Sequence, residues 1–489
     1  MRTVQIKLIG LAMGLLITTD LPLCAQLPAS GRPAPGMAVF DGIMTNFMNA
    51  NNITAGVLGI SRNGRIEYLR GFGWLRVPGG GDPGEPLPEN AMMRTASTVK
   101  PITAAAVRQF NAEGGFGANG LNSRAFNNLV VGLNGLLNVT PNPSLGDSRQ
   151  ADITLNHLLL HQGGFDRNVI PPGDVMFRSR AVASTLGVNS PPSNFQTMSY
   201  MLAQSLQWTP GAVSNLNSPT NTDAYSNYGY MVLGEVLQAY APGGYLGFVQ
   251  DRIMSPNFWI PSTEFAMARS LVADRHPREP RYIASGTSQN VFDNTPPIEV
   301  VPTPDGGFFI EAMLAHGGTI ASAPAMIRFA NMFHVWYTNS LIPAGAIGQP
   351  ITAAAPMTTY AHSGRLDGCN TWLQQRSDGV VFYLALNRTD FGNPDYAQVI
   401  SANINNQLTA GGFTWPNSEA DGFWVTLGTE NATAGLGGYH SPYRGFQSAL
   451  NRVTDGSYLR LKPGSQAWTG TINKQVRLDA PEGPATLGL

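Results

Sequence analysis

Ser97-Thr98-Val99-Lys100 sets a hydroxyl and an amine three residues apart, one helical turn along a common face. That pair can make a nucleophile. An unassisted serine attacks carbonyl carbon poorly, and a desolvated lysine, unlike arginine, can lose its own proton and take the serine's. The 30 basic residues include four lysines: Lys7, Lys100, Lys462 and Lys474. Lys100 is therefore the only lysine between Lys7 and Lys462. Arginine stays protonated at any working pH, so this exception points to a job that needs a proton acceptor. Taken alone, the tetrapeptide is also what chance spacing or a buried salt bridge would give.

Two further clusters follow. Tyr225-Ser226-Asn227 stands where a loop opens a helix, and His362-Ser363-Gly364-Arg365 lies on a predicted strand beside a hairpin. A phenol next to a lysine ammonium ionises more easily, which makes Tyr225 a second base candidate. The bland readings are a packing tyrosine and an N-cap at Asn227. Other chemistries find less support. His157 and His161 have i, i+4 spacing, but no HExxH glutamate and no third ligand accompany them, so they read as core histidines rather than a metal site. Gly79-Gly80-Gly81-Asp82-Pro83 lacks the Lys-Ser/Thr of a phosphate loop, and no Gly-x-Ser-x-Gly surrounds a candidate nucleophile. No metal and no cofactor are expected.

Several elements must position these groups. Helical spacing covers Met37 to Ala50, and the runs Gly56–Ile60 and Ile66–Leu69 flank Arg62-Asn63-Gly64-Arg65, a hairpin signal. Ala96 to Glu113 reads as a helix with Ser97 in its first turn and Pro101 where a missing N–H is tolerated. Further helices are predicted over Ile153 to His161, Tyr228 to Tyr240 (N-capped by Asn227) and Ala323 to Phe333. Thr371–Gln375 and Val380–Asn387 flank a second hairpin turn, Arg376-Ser377-Asp378-Gly379. Strands near both ends and helices between them suit an α+β fold, an antiparallel sheet with an inserted helical region.

Composition bounds the rest. Residues 1–25 read as a bacterial-type signal peptide: Arg2 and Lys7, an apolar run from Leu8 to Ile17, and Leu23-Cys24-Ala25 before Gln26. The expectation is secretion or a periplasmic location, with lipid anchoring at Cys24 disfavoured by Leu23. Cleavage leaves Cys369 as the sole cysteine and excludes an intramolecular disulfide. A net charge of −1 offers no basic field for nucleic acid and no polybasic membrane patch. No later segment is apolar enough to span a bilayer. From Asn417 onward short strands alternate with Gly and Pro, similar to one rung of a right-handed β-helix. One rung buries no solenoid core, so residues 417–489 are expected to form a small C-terminal β appendage on a main domain spanning 26–416.

Ser-x-x-Lys, Tyr-x-Asn and a His-Ser-Gly strand, in that order, resemble the penicillin-recognising serine hydrolases. The branch is that of class C β-lactamases, D,D-carboxypeptidases, D-aminopeptidases and β-lactamase-like carboxylesterases. The likeness runs from about Met37 to Trp415 and includes the run His157-Leu158-Leu159-Leu160-His161-Gln162-Gly163-Gly164, Pro210-Gly211, Gly317-Gly318 and Asn387-Arg388. It implies the β-lactamase/transpeptidase-like fold and an acyl-enzyme on Ser97, with Lys100 and Tyr225 as a coupled acid/base pair. It further implies that Asn227 holds Lys100 and the substrate, that the N–H groups of Ser97 and Arg365 receive the oxyanion, and that Gly364 lets the strand approach the substrate. His362 departs from the lysine usual in β-lactamases; a neutral imidazole is a weaker carboxylate anchor, a charge Arg365 could supply. The implied partner is a small ester, a peptide or a cell-wall-derived substrate, with ester or D-peptide hydrolysis ahead of β-lactam hydrolysis. The rival class is a catalytically slow cell-wall-binding or acyl-acceptor protein. Nothing in the sequence specifies an oligomeric state.

Overall fold

The computed structural model describes residues 27–62, 64–167, 173–212, 225–254, 260, 262–332, 360–392, 394–416, 420, 422–428, 430–431, 442–453, 457–480 and 483–488. The predicted signal peptide with Cys24 lies outside them, as do Asn63 of the first hairpin turn, Phe333 and Asn417.

Five long strands make the main sheet: β1 (Ala55–Arg62), β2 (Arg65–Arg76), β3 (Tyr360–Leu366), β4 (Cys369–Gln375) and β5 (Val380–Leu386). They run in the order β2-β1-β5-β4-β3, every pair antiparallel, so the N-terminal hairpin joins the late strands through β1 and β5. The mixed α/β fold with strands drawn from both ends is the one expected. At the second turn Gly379 takes φ 79°, a backbone only glycine adopts freely, and Asp378 accepts from the Val380 N–H at 3.2 Å.

Alternation along the strands divides the core in two. Leu58, Ile60, Phe382, Leu384 and Leu386 face helices α1 (Ala38–Ala50) and α5 (Tyr396–Ala410), where Phe40, Met44, Met48, Ile400 and Ile404 meet them. Each such side chain, once fully buried, contributes about 1.5–3 kcal/mol. Val57, Val381, Tyr383 and Ala385 face the other way, toward α2 (Lys100–Ala112), α3 (Asn227–Tyr240) and α4 (Ala323–Met332). The inserted helical region belongs to this second layer.

Helix boundaries shift from their predicted places for local reasons. Ala96–Val99 is a 3-10 turn before α2 begins at Lys100, with Pro101 in its first turn. The run from Ile153 yields only a five-residue helix, Leu155–Leu159, and His161 beyond it sits at φ 56°. The N-cap of α3 is Ser226, not Asn227: its hydroxyl accepts from the Gly229 N–H at 3.0 Å. That correction frees the Asn227 amide for other contacts.

The C-terminal segment holds more than one rung. β6 (Phe423–Thr426), β7 (Ser457–Leu461) and β8 (Val476–Asp479) pair in parallel in the order β6-β7-β8. Stacking gives them their own small core of Phe423, Val425, Phe446, Leu450, Leu459 and Leu461. Trp424, fully buried, has the Arg328 guanidinium of α4 5.3 Å from its ring centre, which ties this segment to the helical layer.

Candidate active site

The Ser97 turn is pinned before it is aimed. The Thr95 N–H donates to the Thr319 carbonyl at 2.9 Å, and the Thr95 carbonyl accepts from Thr98 Oγ1 at 2.6 Å and Thr371 Oγ1 at 2.8 Å. Ala96, next to the serine, is held at φ 45°, a left-handed conformation that costs an alanine about 1–3 kcal/mol. Edge strand β3 packs directly on this turn. A Cβ at position 364 would lie 2.6 Å from the Thr95 carbonyl oxygen and 2.2 Å from Thr371 Oγ1, so only glycine fits. In this structure the close approach that Gly364 permits is to the turn carrying Ser97.

In a 3-10 turn residues i and i+3 eclipse, which stacks Ser97 and Lys100. Lys100 Nζ stands 3.0 Å from Ser97 Oγ, 2.8 Å from Asn227 Oδ1 and 2.8 Å from the His316 carbonyl oxygen. Three partners satisfy either protonation state. A neutral amine donates its two N–H bonds to the two carbonyl oxygens and turns its lone pair to the serine hydroxyl. Lys100 is completely buried, and desolvation drives its pKa well below the usual value; the Arg167 charge pushes the same way, and Asp174 opposes both.

Tyr225 hydrogen-bonds Ser97, but burial dominates the phenol and raises its pKa, with the Ser97 bond and Arg167 pulling the other way. The expectation that this phenol ionises easily is therefore corrected: desolvation outweighs the neighbouring cation. Its ring stacks on His161 at 4.6 Å and carries the Arg167 guanidinium at 4.7 Å. His161 Nδ1 accepts from the Ser226 N–H at 2.9 Å, so the ring braces the Tyr225-Ser226-Asn227 segment. His157 Nδ1 instead accepts from the Thr154 N–H, and the two histidines do not share a helix face. Among the described residues no His, Cys, Asp and Glu cluster could hold a metal ion.

On β3 the pleat sends His362 and Gly364 inward and leaves Ser363 and Arg365 exposed. Burial, with Lys100 adding to it, lowers the His362 pKa to about 4, so the imidazole is neutral at pH 7. Arg365 donates to the Gly392 carbonyl at 3.2 Å, lies 3.9 Å from Asp395 and covers the Phe391 ring at 5.7 Å.

A cleft of about 750 Å³ gathers these groups. Ser97, Tyr225, Asn227, His362, Ser363 and Arg365 line it, Lys100 lies beneath Ser97, and Gly364 sits behind the wall. Asp174, Arg167 and His316 complete the cluster and were not foreseen. The signals available were slight: an Asp capping a three-residue turn, an Arg in a loop, and a His before Gly317-Gly318.

Comparison with known proteins gives a match to the β-lactamase family over residues 40–395. Among solved structures the chain is similar to an octameric penicillin-binding protein homologue from Pyrococcus abyssi, at 15% identity over 76% of this chain and 77% of that one, TM-score 0.48. It is also similar to a D-amino acid amidase from Ochrobactrum anthropi, at 13% identity over 77% and 98%, TM-score 0.47. A D-stereospecific amidohydrolase from Streptomyces sp. aligns at 17% identity over 72% and 94%, TM-score 0.43.

Proposed function

Because the chain belongs to the β-lactamase family, a family of serine hydrolases, we propose that it cleaves a carboxylic ester or a D-configured peptide or amide bond through an acyl-enzyme on Ser97. The observation that carries this reading is the buried Lys100 amine, 3.0 Å from Ser97 Oγ with two carbonyl oxygens taking its other bonds. Neutral Lys100 takes the hydroxyl proton as Oγ attacks. Tyr225, kept protonated by burial, gives its proton to the leaving atom, and the Lys100 ammonium restores it. Water then repeats the sequence against the acyl-enzyme. The N–H groups of Ser97 and Arg365 receive the oxyanion. Asn227 has a further amide N–H for the substrate.

The neutral His362 and the engagement of Arg365 with Gly392 and Phe391 favour esters and peptides over β-lactams. Phe177 and Phe391, both exposed, line the cleft with Phe308, which suits a substrate carrying a bulky apolar group. The reading includes export directed by residues 1–25, a hydrolase domain over 26–416 and a β appendage over 417–489, the last supported by its separate core. Among the described residues no helix is long and apolar enough to cross a membrane.

The test is to incubate the mature protein with a fluorophosphonate, a short-chain p-nitrophenyl ester and a penicillin, then read intact mass and the modified peptide. A fluorophosphonate adduct on Ser97 with ester turnover supports the reading. A long-lived penicillin adduct on Ser97 selects the D,D-peptidase form, and rapid penicillin turnover selects a β-lactamase. No adduct from any reagent overturns catalysis and leaves a binding protein.

A further inference from the structure

Asp174 has no part in the chemistry above, yet it meets the Lys100 cluster directly. Its Oδ2 accepts from Asn227 Nδ2 at 2.7 Å, while Asn227 Oδ1, at the other end of the same amide, accepts from Lys100 Nζ at 2.8 Å. An amide has one donor end and one acceptor end, so a carboxylate at the donor end dictates which end faces the lysine. A flipped amide would set N–H against N–H at Lys100 and oxygen against oxygen at Asp174. Asp174 is itself held in place: its Oδ1 accepts from the Met176 N–H at 3.4 Å, and Val175 and Met176 anchor the turn in the core.

The surroundings give its charge a second consequence. Lys100 faces Ser97 on its own turn, Asn227 and the Tyr230 ring from α3, Tyr225 before α3, the His316 carbonyl, His362 on β3, and His161 and Arg167 from the loop after Leu155–Leu159. Burial keeps His161, His316 and His362 neutral at pH 7, and Arg167 is cationic. Among the described residues Asp174 supplies the negative charge in this set; burial raises its own pKa, and the Asn227 hydrogen bond, Arg167 and the Met176 N–H pull it back toward the charged form. We propose that Asp174 is a positioning residue for the serine–lysine pair: through Asn227 it fixes the acceptor on Lys100, and its charge offsets Arg167 and burial. Without that offset the amine would be neutral but too weakly basic to take the serine proton efficiently.

The kinetic part rests on the hydrolase reading; the titration part does not. With only four lysines, the chain labelled at lysine 13Cε gives few NMR signals, and Lys100→Arg assigns the one from Lys100. Asp174→Asn keeps an oxygen for the Asn227 N–H and removes the charge. The expected result is a Lys100 titration at lower pH and an acid limb of kcat/KM displaced the same way. Asp174→Ala also releases the amide, and kcat on a p-nitrophenyl ester should fall on the order of tenfold to a hundredfold with KM within a few-fold. A merely structural role would lower the melting temperature and leave the Lys100 titration where it is. An unmoved titration in Asp174→Asn, or wild-type kcat in a folded Asp174→Ala, overturns the proposal. If the wild type turns over no ester and no reagent forms an adduct on Ser97, the hydrolase reading fails and the NMR comparison still decides the role of Asp174.

Discussion

Arg94 and Lys100 stand six residues apart, both with no exposed surface, and they meet opposite surroundings. Arg94 lies 3.5 Å from the equally buried Glu279, donates to the carbonyls of Pro304 and Arg269 at 3.1 and 3.0 Å, and covers the Tyr282 ring at 4.3 Å. Its charge is matched where it stands. Lys100 touches a hydroxyl and two carbonyl oxygens but no carboxylate; Asp174 hydrogen-bonds Asn227 behind them and acts on the amine by its charge. Equal burial thus has two outcomes. A cation that cannot shed its proton recruits a carboxylate and becomes a structural anchor. A cation that can shed it is left with neutral partners, the setting in which burial most readily strips an amine of its proton.

The contrast breaks most visibly at Lys100. Lys100→Arg has similar reach but is permanently charged and cannot accept a proton, and ester turnover should fall on the order of 10³-fold or more, with fluorophosphonate labelling of Ser97 lost in parallel. An undiminished rate would end the distinction between the two cations. Arg94→Met tests the other half. It strands Glu279, so unfolding free energy in a denaturant titration should drop by about 3–5 kcal/mol, while any remaining folded enzyme keeps its kcat. A stable Arg94→Met protein would mean that the pair holds little.

A third expectation concerns pH. His362 has its pKa lowered to about 4 in the folded chain, so between that value and its ordinary 6.5 the unfolded state binds the extra proton. Stability should therefore rise with pH across this window and be lost as pH falls through it, by on the order of 3 kcal/mol. His362→Asn should flatten that part of the stability–pH curve, and a slope identical to wild type contradicts the burial argument. The smallest effect is at the rim. Phe391→Ala should raise KM for an aryl or long-chain ester a few-fold and leave an acetyl ester nearly unchanged, read from paired Michaelis–Menten curves. Equal changes for both esters would remove Phe391 from substrate selection.

Local patterns made much of the fold legible. Alternating apolar runs around Arg62-Asn63-Gly64-Arg65 and Arg376-Ser377-Asp378-Gly379 announce two hairpins, and both form. The residues of the three sequence clusters meet in one cleft: Ser97 stands in the turn that opens α2, Tyr225 just before α3, and His362 to Arg365 along edge strand β3. The misreadings have physical causes. Asn227 has the composition of an N-cap, but Ser226 can cap as well, and only the position of Lys100 decides which does. The phenol of Tyr225 was weighed by its charged neighbour, and sequence does not show that burial outweighs it. The parallel stacking of β6, β7 and β8 depends on pairing across long separations, which short strands do not encode individually.

By itself, the sequence singled out the candidate pair: a lone central lysine three residues after a serine, with Pro101 in the first turn of the helix that carries it. It also determined the strands and turns, because φ preferences and apolar periodicity act over a few residues. Tertiary structure alone decided the protonation chemistry. Whether an amine is charged depends on how much water it has lost and which charges stand within a few ångströms, and Asn227, His316, Arg167 and Asp174 come to Lys100 from distant parts of the chain.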